Sequence, residues 1–207
     1  MRKRLIPIFL LTIFSASISH SSALEVEHIP DEIGDISFIK YYDSKLQMSG
    51  IEVMISASYQ SDEYSALTTS ISRDVLQSVI KDSWKEMSRY LSGRGVQIRD
   101  CRGERYNVNF FFVTKNEMNR PGRWDRFFEA NPGNNRTPVY GYYDATHNVP
   151  YNSAIIIREM PSSELTVTIA HEMAHYWWDR LCLSRSISQA PEGFAQSFER
   201  EYARSLR

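Results

Sequence analysis

The chain has 207 residues, with 42% hydrophobic content and 24 Lys and Arg against 25 Asp and Glu. That length suits one domain and that apolar content suits a packed core, which excludes wholesale disorder. A net charge of −1 excludes a nucleic-acid binder that works by broad phosphate neutralisation, and two Cys exclude a disulfide-dense mini-scaffold.

Arg2, Lys3 and Arg4 precede an apolar run from Leu5 to Phe14, and Ser21-Ser22-Ala23 offers small residues for a cleavage point. This is the layout of a secretory signal peptide over residues 1–23, because the run is shorter than the ~20 residues that span a bilayer. The expectation is an exported protein, periplasmic or secreted. Its mature part would be a single domain over residues 24–207, with no stable membrane anchor after cleavage. In such a compartment Cys101 and Cys182 are either bridged or two buried free thiols, and spacing does not choose between them.

Ile36 to Tyr42 and Ile51 to Ser56 are rich in β-branched and aromatic residues and predict two strands. Ser65 to Leu91 predicts a long helix. Its apolar stripe runs through Leu67, Ile71, Val75, Val79, Trp84, Met87 and Leu91, and Gly93 and Gly95 end it. Tyr106 to Val113 predicts a strand buried on both faces, since Phe110, Phe111 and Phe112 are consecutive. Residues 119–138 read as a long surface loop around a helical turn at Trp124 to Glu129. Val139 to Tyr143 and Asn152 to Arg158 predict two strands around a polar turn. Pro161 to Asp179 predicts a helix, and Pro191 opens a last one, because proline suits the first helical position. The order implies an α+β fold with one sheet packed on one or two helices.

The chemistry concentrates in His171-Glu172-Met173-Ala174-His175. On a helix, residues four apart share a face, so both imidazoles can reach one metal ion. Glu172, on the same turn, can reach a water on that metal without itself being a ligand. The flanking Leu165, Val167, Ile169, Ala170, Met173 and Ala174 bury this helix, and buried histidines need partners. Catalytic zinc takes three protein ligands and a water. The third candidate is Glu192, in Pro191-Glu192-Gly193-Phe194-Ala195, where the chain has room to turn and bring the first turn of the last helix to the metal. Glu199, His147 and Asp179 are rivals for that place. Gln196 and Glu199 are also candidates for holding the imidazole N–H groups.

These two motifs resemble, distantly, the gluzincin (peptidase MA-like) class of zincin metallopeptidases. The aminopeptidases of that class carry Asn-Glu-Gly-Phe-Ala where this chain has Pro191 in place of the Asn. Tyr140 to Asp144, a short turn, and Ala154 to Ile157 are similar to the hairpin that precedes the metal helix in compact zincins. The resemblance implies a zincin-like α+β fold: a small mixed sheet, a long backing helix, an edge hairpin, the His-Glu-x-x-His helix and a ligand-bearing C-terminal helix. It implies one Zn2+ per chain held by His171, His175 and Glu192, with Glu172 as general base. The expected function is an exported zinc metallopeptidase that hydrolyses peptide bonds of a peptide or protein substrate through a zinc-activated water. Related enzymes add a Tyr or His to stabilise the oxyanion. Tyr202 would be turned away, so Tyr143, His147 and Tyr151 are the alternatives. The competing expectation is a non-catalytic exported binding domain with a structural zinc.

Overall fold

The computed structural model describes residues 25–28, 37–60, 72–101, 107–114, 140–145, 154–158 and 160–207. The expected signal peptide, the loop over residues 119–138, His147 and Tyr151 lie outside them. The described residues form a mixed α+β fold: one six-stranded sheet and three α-helices.

The strands are β1 (Glu25–His28), β2 (Ser37–Met48), β3 (Ile51–Gln60), β4 (Val108–Val113), β5 (Gly141–Asp144) and β6 (Ala154–Arg158). Their order across the sheet is β1-β2-β3-β4-β6-β5. The central pairs β3–β4 and β4–β6 are parallel, and the outer pairs are antiparallel. Strand β1 was not expected; four residues are too few to give a periodic signal.

Strand β2 continues to Met48, six residues past the expected end at Tyr42. The extension is half polar but alternates: Tyr42, Leu46 and Met48 are buried, while Asp43, Lys45 and Gln47 are exposed. Near the turn, Lys45 and Gln47 both donate to Glu52 across the ladder, at 2.8 and 2.9 Å. Ser49 and Gly50 make the two-residue turn with φ of 52° and 81°. Two positive φ values match the right-handed twist of the flanking strands. A register shift between Lys40 and Tyr42 marks a bulge in the same strand.

Every residue of β4 is buried, as its consecutive phenylalanines require of a strand between two parallel neighbours. Phe110 and Phe112 face the helices together with Ile155 and Ile157. Phe111 points to the other face, where its ring meets that of Phe38 edge-on at 5.2 Å.

Helix α1 (Arg73–Ser92) starts where the Ser72 hydroxyl accepts from the Val75 N–H at 3.2 Å. Residues 65–71 of the expected helix lie outside the described residues. The buried stripe is Leu76, Val79, Ile80, Ser83, Trp84, Met87, Tyr90 and Leu91. Val75, expected on that stripe, is 44% exposed; the inward face runs along Leu76, Ile80, Ser83 and Met87, a 3.6-residue line that passes Val75 by. Helix α2 (Ser162–Arg180) lies against the sheet, and helix α3 (Pro191–Ser205) opens on its proline. Aromatic rings tie the three helices together. Trp84 of α1 meets Trp177 of α2 at 4.2 Å, Trp178 of α2 meets Phe194 of α3 at 5.1 Å, and Tyr90 of α1 meets Phe194 and Phe198 at 5.8 and 5.9 Å.

The far end of α2 is anchored twice. Cys101 and Cys182 are joined by a disulfide, with Cα atoms 6.1 Å apart, a separation ordinary for bridged cysteines. The fully buried Arg180 donates to the Tyr176 hydroxyl at 2.7 Å, to the Glu52 carbonyl at 2.7 Å and to Asp100 at 2.8 Å. No helix among the described residues is long and apolar enough to cross a membrane.

Candidate metal centre

Helix α2 is buried nearly all round. From Ile169 to Arg180 only His171, His175 and Asp179 keep partial exposure. Their spacing of four makes them one line along the helix, and this line is its open face. The two imidazoles therefore emerge side by side, their ring centroids 5.1 Å apart.

Glu192 reaches the same point from the first turn of α3. Its Oε2 lies 3.2 Å from His175 Nε2 and 3.7 Å from His171 Nε2. One donor atom from each of the three residues falls within 4.8 Å of the others. Two donors that each sit ~2.1 Å from one tetrahedral ion are roughly 3.4 Å apart. The separations fit that requirement, and two imidazoles with one carboxylate are a donor set suited to zinc. Gln196, one turn on, donates to Glu192 Oε1 at 2.8 Å. It was expected to hold an imidazole; it holds the carboxylate instead.

Glu199 is not a fourth donor to this point. Its Oε2 accepts from His171 Nδ1 at 2.8 Å, on the far side of the ring. A carboxylate can only accept here, so Nδ1 carries a proton, and Nε2 is the nitrogen turned towards Glu192, the one that could give its lone pair to an ion. Asp179 is also elsewhere: its Oδ2 accepts from the Tyr143 hydroxyl at 3.0 Å. The Tyr143 ring lies parallel to that of His175, 6.0 Å away. Tyr202 is buried against α1, where burial, with Asp82 and Glu86 nearby, pushes its hydroxyl up to about 12. Its ring stacks on that of Phe198, 6.0 Å away, in the buried face of α3.

Glu172 is 5% exposed. Burial pushes its carboxyl up to about 6, against the pull of the His171 and His175 imidazoles. Burial pulls His171 down, but its hydrogen bonds with Glu192 and Glu199 outweigh that and push it up to about 10. The same imidazoles hold Glu192 well below the usual carboxylate range. One site thus contains a carboxylate kept ionised and a neighbour whose proton affinity is raised, a division suited to acid–base work.

The edge strand β5 closes this side of the site. Gly141 lies directly on the Glu172 side chain. Sequence reasoning passed over Gly141, although a lone glycine inside a strand pattern is a signal of close approach. Compared with protein-family models, with curated proteins and with solved structures, the chain matches none.

Proposed function

We propose that the chain is an exported zinc metallopeptidase with a zincin-like arrangement of its sheet and helices. The observation that carries this reading is the convergence of His171, His175 and Glu192 on one point, their donor atoms within 4.8 Å, beside the buried Glu172. Three donors rather than four are brought together among the described residues. This favours an open, catalytic position over the closed set of a structural zinc. The apolar run behind Arg2, Lys3 and Arg4 supports export.

His171, His175 and Glu192 would hold the ion, which when bound supplies Lewis-acid chemistry: it polarises a peptide carbonyl and makes water a stronger acid. Glu172 takes a proton from the attacking water and delivers it to the leaving amine. Its raised proton affinity suits both halves of that transfer near neutral pH. Glu199 holds the His171 ring and its tautomer. Among the described residues strand β5 ends the sheet on this side, so an extended peptide could add to its outer edge by main-chain hydrogen bonds.

The test is metal analysis of the purified mature chain, with hydrolysis of an unfolded protein and of a fluorogenic peptide library followed before and after chelation. We expect close to one zinc per chain and activity that is lost on chelation and restored by zinc. Glu172→Gln should keep the zinc and lose activity by a factor on the order of 10²–10⁴. A chain that retains no zinc, or a Glu172→Gln variant as active as the parent, would overturn the reading.

A further inference from the structure

We propose that Gly141 is a positioning residue for Glu172: a Cβ at position 141 would press on the Glu172 side chain, so the bare glycine sets where the carboxylate rests. The catalytic consequence depends on the hydrolase reading above; the steric one does not.

A Cβ placed at position 141 would lie 2.5 Å from Glu172 Oε1, 2.8 Å from its Cγ and 2.9 Å from its Cδ. Gly141 does not need to be glycine for its backbone. Among the described glycines, positive φ values belong to Gly50 and Gly95 and not to Gly141. It sits in a strand, where glycine weakens the ladder. The space at its Cα is what it provides.

The strand cannot retreat from an added methyl group. Gly141 is in register with Ile157 of β6, which is fully buried. Two residues on, and so on the same face of β5, Tyr143 is hydrogen-bonded to Asp179 of α2 and lies along His175. Strand β5 is therefore seated on α2 at Glu172 and again at His175 and Asp179. Helix α2 is held in turn by the Trp84–Trp177 contact, the disulfide and the Arg180 hydrogen bonds. With both backbones fixed, the Glu172 side chain must move, by about 1 Å to reach ordinary contact. A displacement of that size at a reacting group costs about 100-fold in rate.

The experiment is a double-mutant cycle on the full mature chain: parent, Gly141→Ala, Glu172→Ala and the double variant, each measured for urea midpoint and zinc content. The parent and Gly141→Ala are also measured for kcat and KM on whichever fluorogenic peptide the parent cleaves. We expect Gly141→Ala to lower the urea midpoint when Glu172 is present. We expect it to leave the midpoint unchanged, or raise it, when residue 172 is Ala, because the colliding atoms are gone and alanine suits a strand better than glycine. In the Glu172 background kcat should fall about 100-fold, with KM and zinc content near those of the parent. If Gly141→Ala does not fold but the double variant does, the contact is supported; if neither folds, the strand rejects alanine for reasons apart from Glu172 and the proposal fails. Equal midpoint losses in both backgrounds, or unchanged kcat with full zinc, would also overturn it. A parent that neither holds zinc nor cleaves any peptide would defeat the hydrolase reading and the catalytic half of this proposal, while the stability cycle still decides the contact.

Discussion

Glu199 would act on the proposed ion site without touching it. Its carboxylate holds His171 Nδ1 at 2.8 Å, which fixes both the tautomer and the ring plane. Such partners of a metal-bound histidine are worth about 10–100-fold in metal affinity. Glu199→Gln can still be placed at that nitrogen but loses the charge, and Glu199→Ala loses the partner altogether. Zinc affinity, measured by competition with a chromophoric chelator, should therefore fall in both, and further in the Ala variant. Far-ultraviolet circular dichroism should stay unchanged, because Glu199 is 38% exposed and the buried face of α3 is made by Phe194, Ala195, Phe198 and Tyr202. Equal zinc affinity in parent and both variants would show that His171 needs no such support. Glu199 was legible in the sequence as a candidate for this place because it stands two turns after Glu192. The role of Gln196 was misjudged, since one turn of helix brings it to Glu192 before it can reach a ring.

Strand β5 is seated on helix α2 through named side chains, and this makes the seating testable. The Tyr143 hydroxyl bonds Asp179 on the open face of α2, while Gly141 rests on the buried Glu172. Tyr143→Phe keeps the ring beside His175 and removes the hydrogen bond to Asp179, a loss of about 1 kcal/mol. The amides of β5 should then exchange with deuterium faster, while those of β4, buried at every position, keep their protection. Unchanged exchange in β5 would mean that the ladder to β6 alone holds the strand. The elements themselves differ in how well the sequence announced them. Strand β4 was plain, since three phenylalanines in a row leave no face for water. The second half of β2 was missed because Asp43, Lys45 and Gln47 look like loop until their alternation with Tyr42, Leu46 and Met48 is counted.

Across the whole molecule, the Cys101–Cys182 bridge closes a span of 81 residues that contains β4, β5, β6 and α2. In the chain-entropy account a loop of that length stabilises the fold by roughly 4 kcal/mol. The Cys101→Ser, Cys182→Ser double variant should melt lower by on the order of 10 °C in calorimetry. The bridge lies past the end of α2, about two turns beyond His175, so the variant should keep the proposed zinc site at temperatures well below its melting point. Loss of zinc binding at low temperature would show that the bridge also shapes the site. Arg180 shares the anchoring: Tyr176 stands one turn back on its own helix, but Glu52 and Asp100 come from segments that no local pattern connects to it.

Spacing along the chain was sufficient to place His171 and His175 on one face of one helix, with Glu172 beside them, because a helix repeats every 3.6 residues wherever it is packed. It was sufficient also for the buried character of β4 and for the start of α3 at Pro191. It could not say whether two cysteines 81 positions apart would meet, nor which carboxylate would come to the imidazoles among Glu192, Glu199 and Asp179. Those outcomes depend on how α3 crosses α2 and how β5 lies along it. Both are set by rings from distant segments, Tyr90, Trp178, Phe194 and Tyr143, packing at distances of a few ångströms. The tightness at Gly141 belongs to the same class: a glycine in a strand is visible in any sequence, but the side chain pressed against it comes from 31 residues further on and is brought there by the packing of sheet against helix.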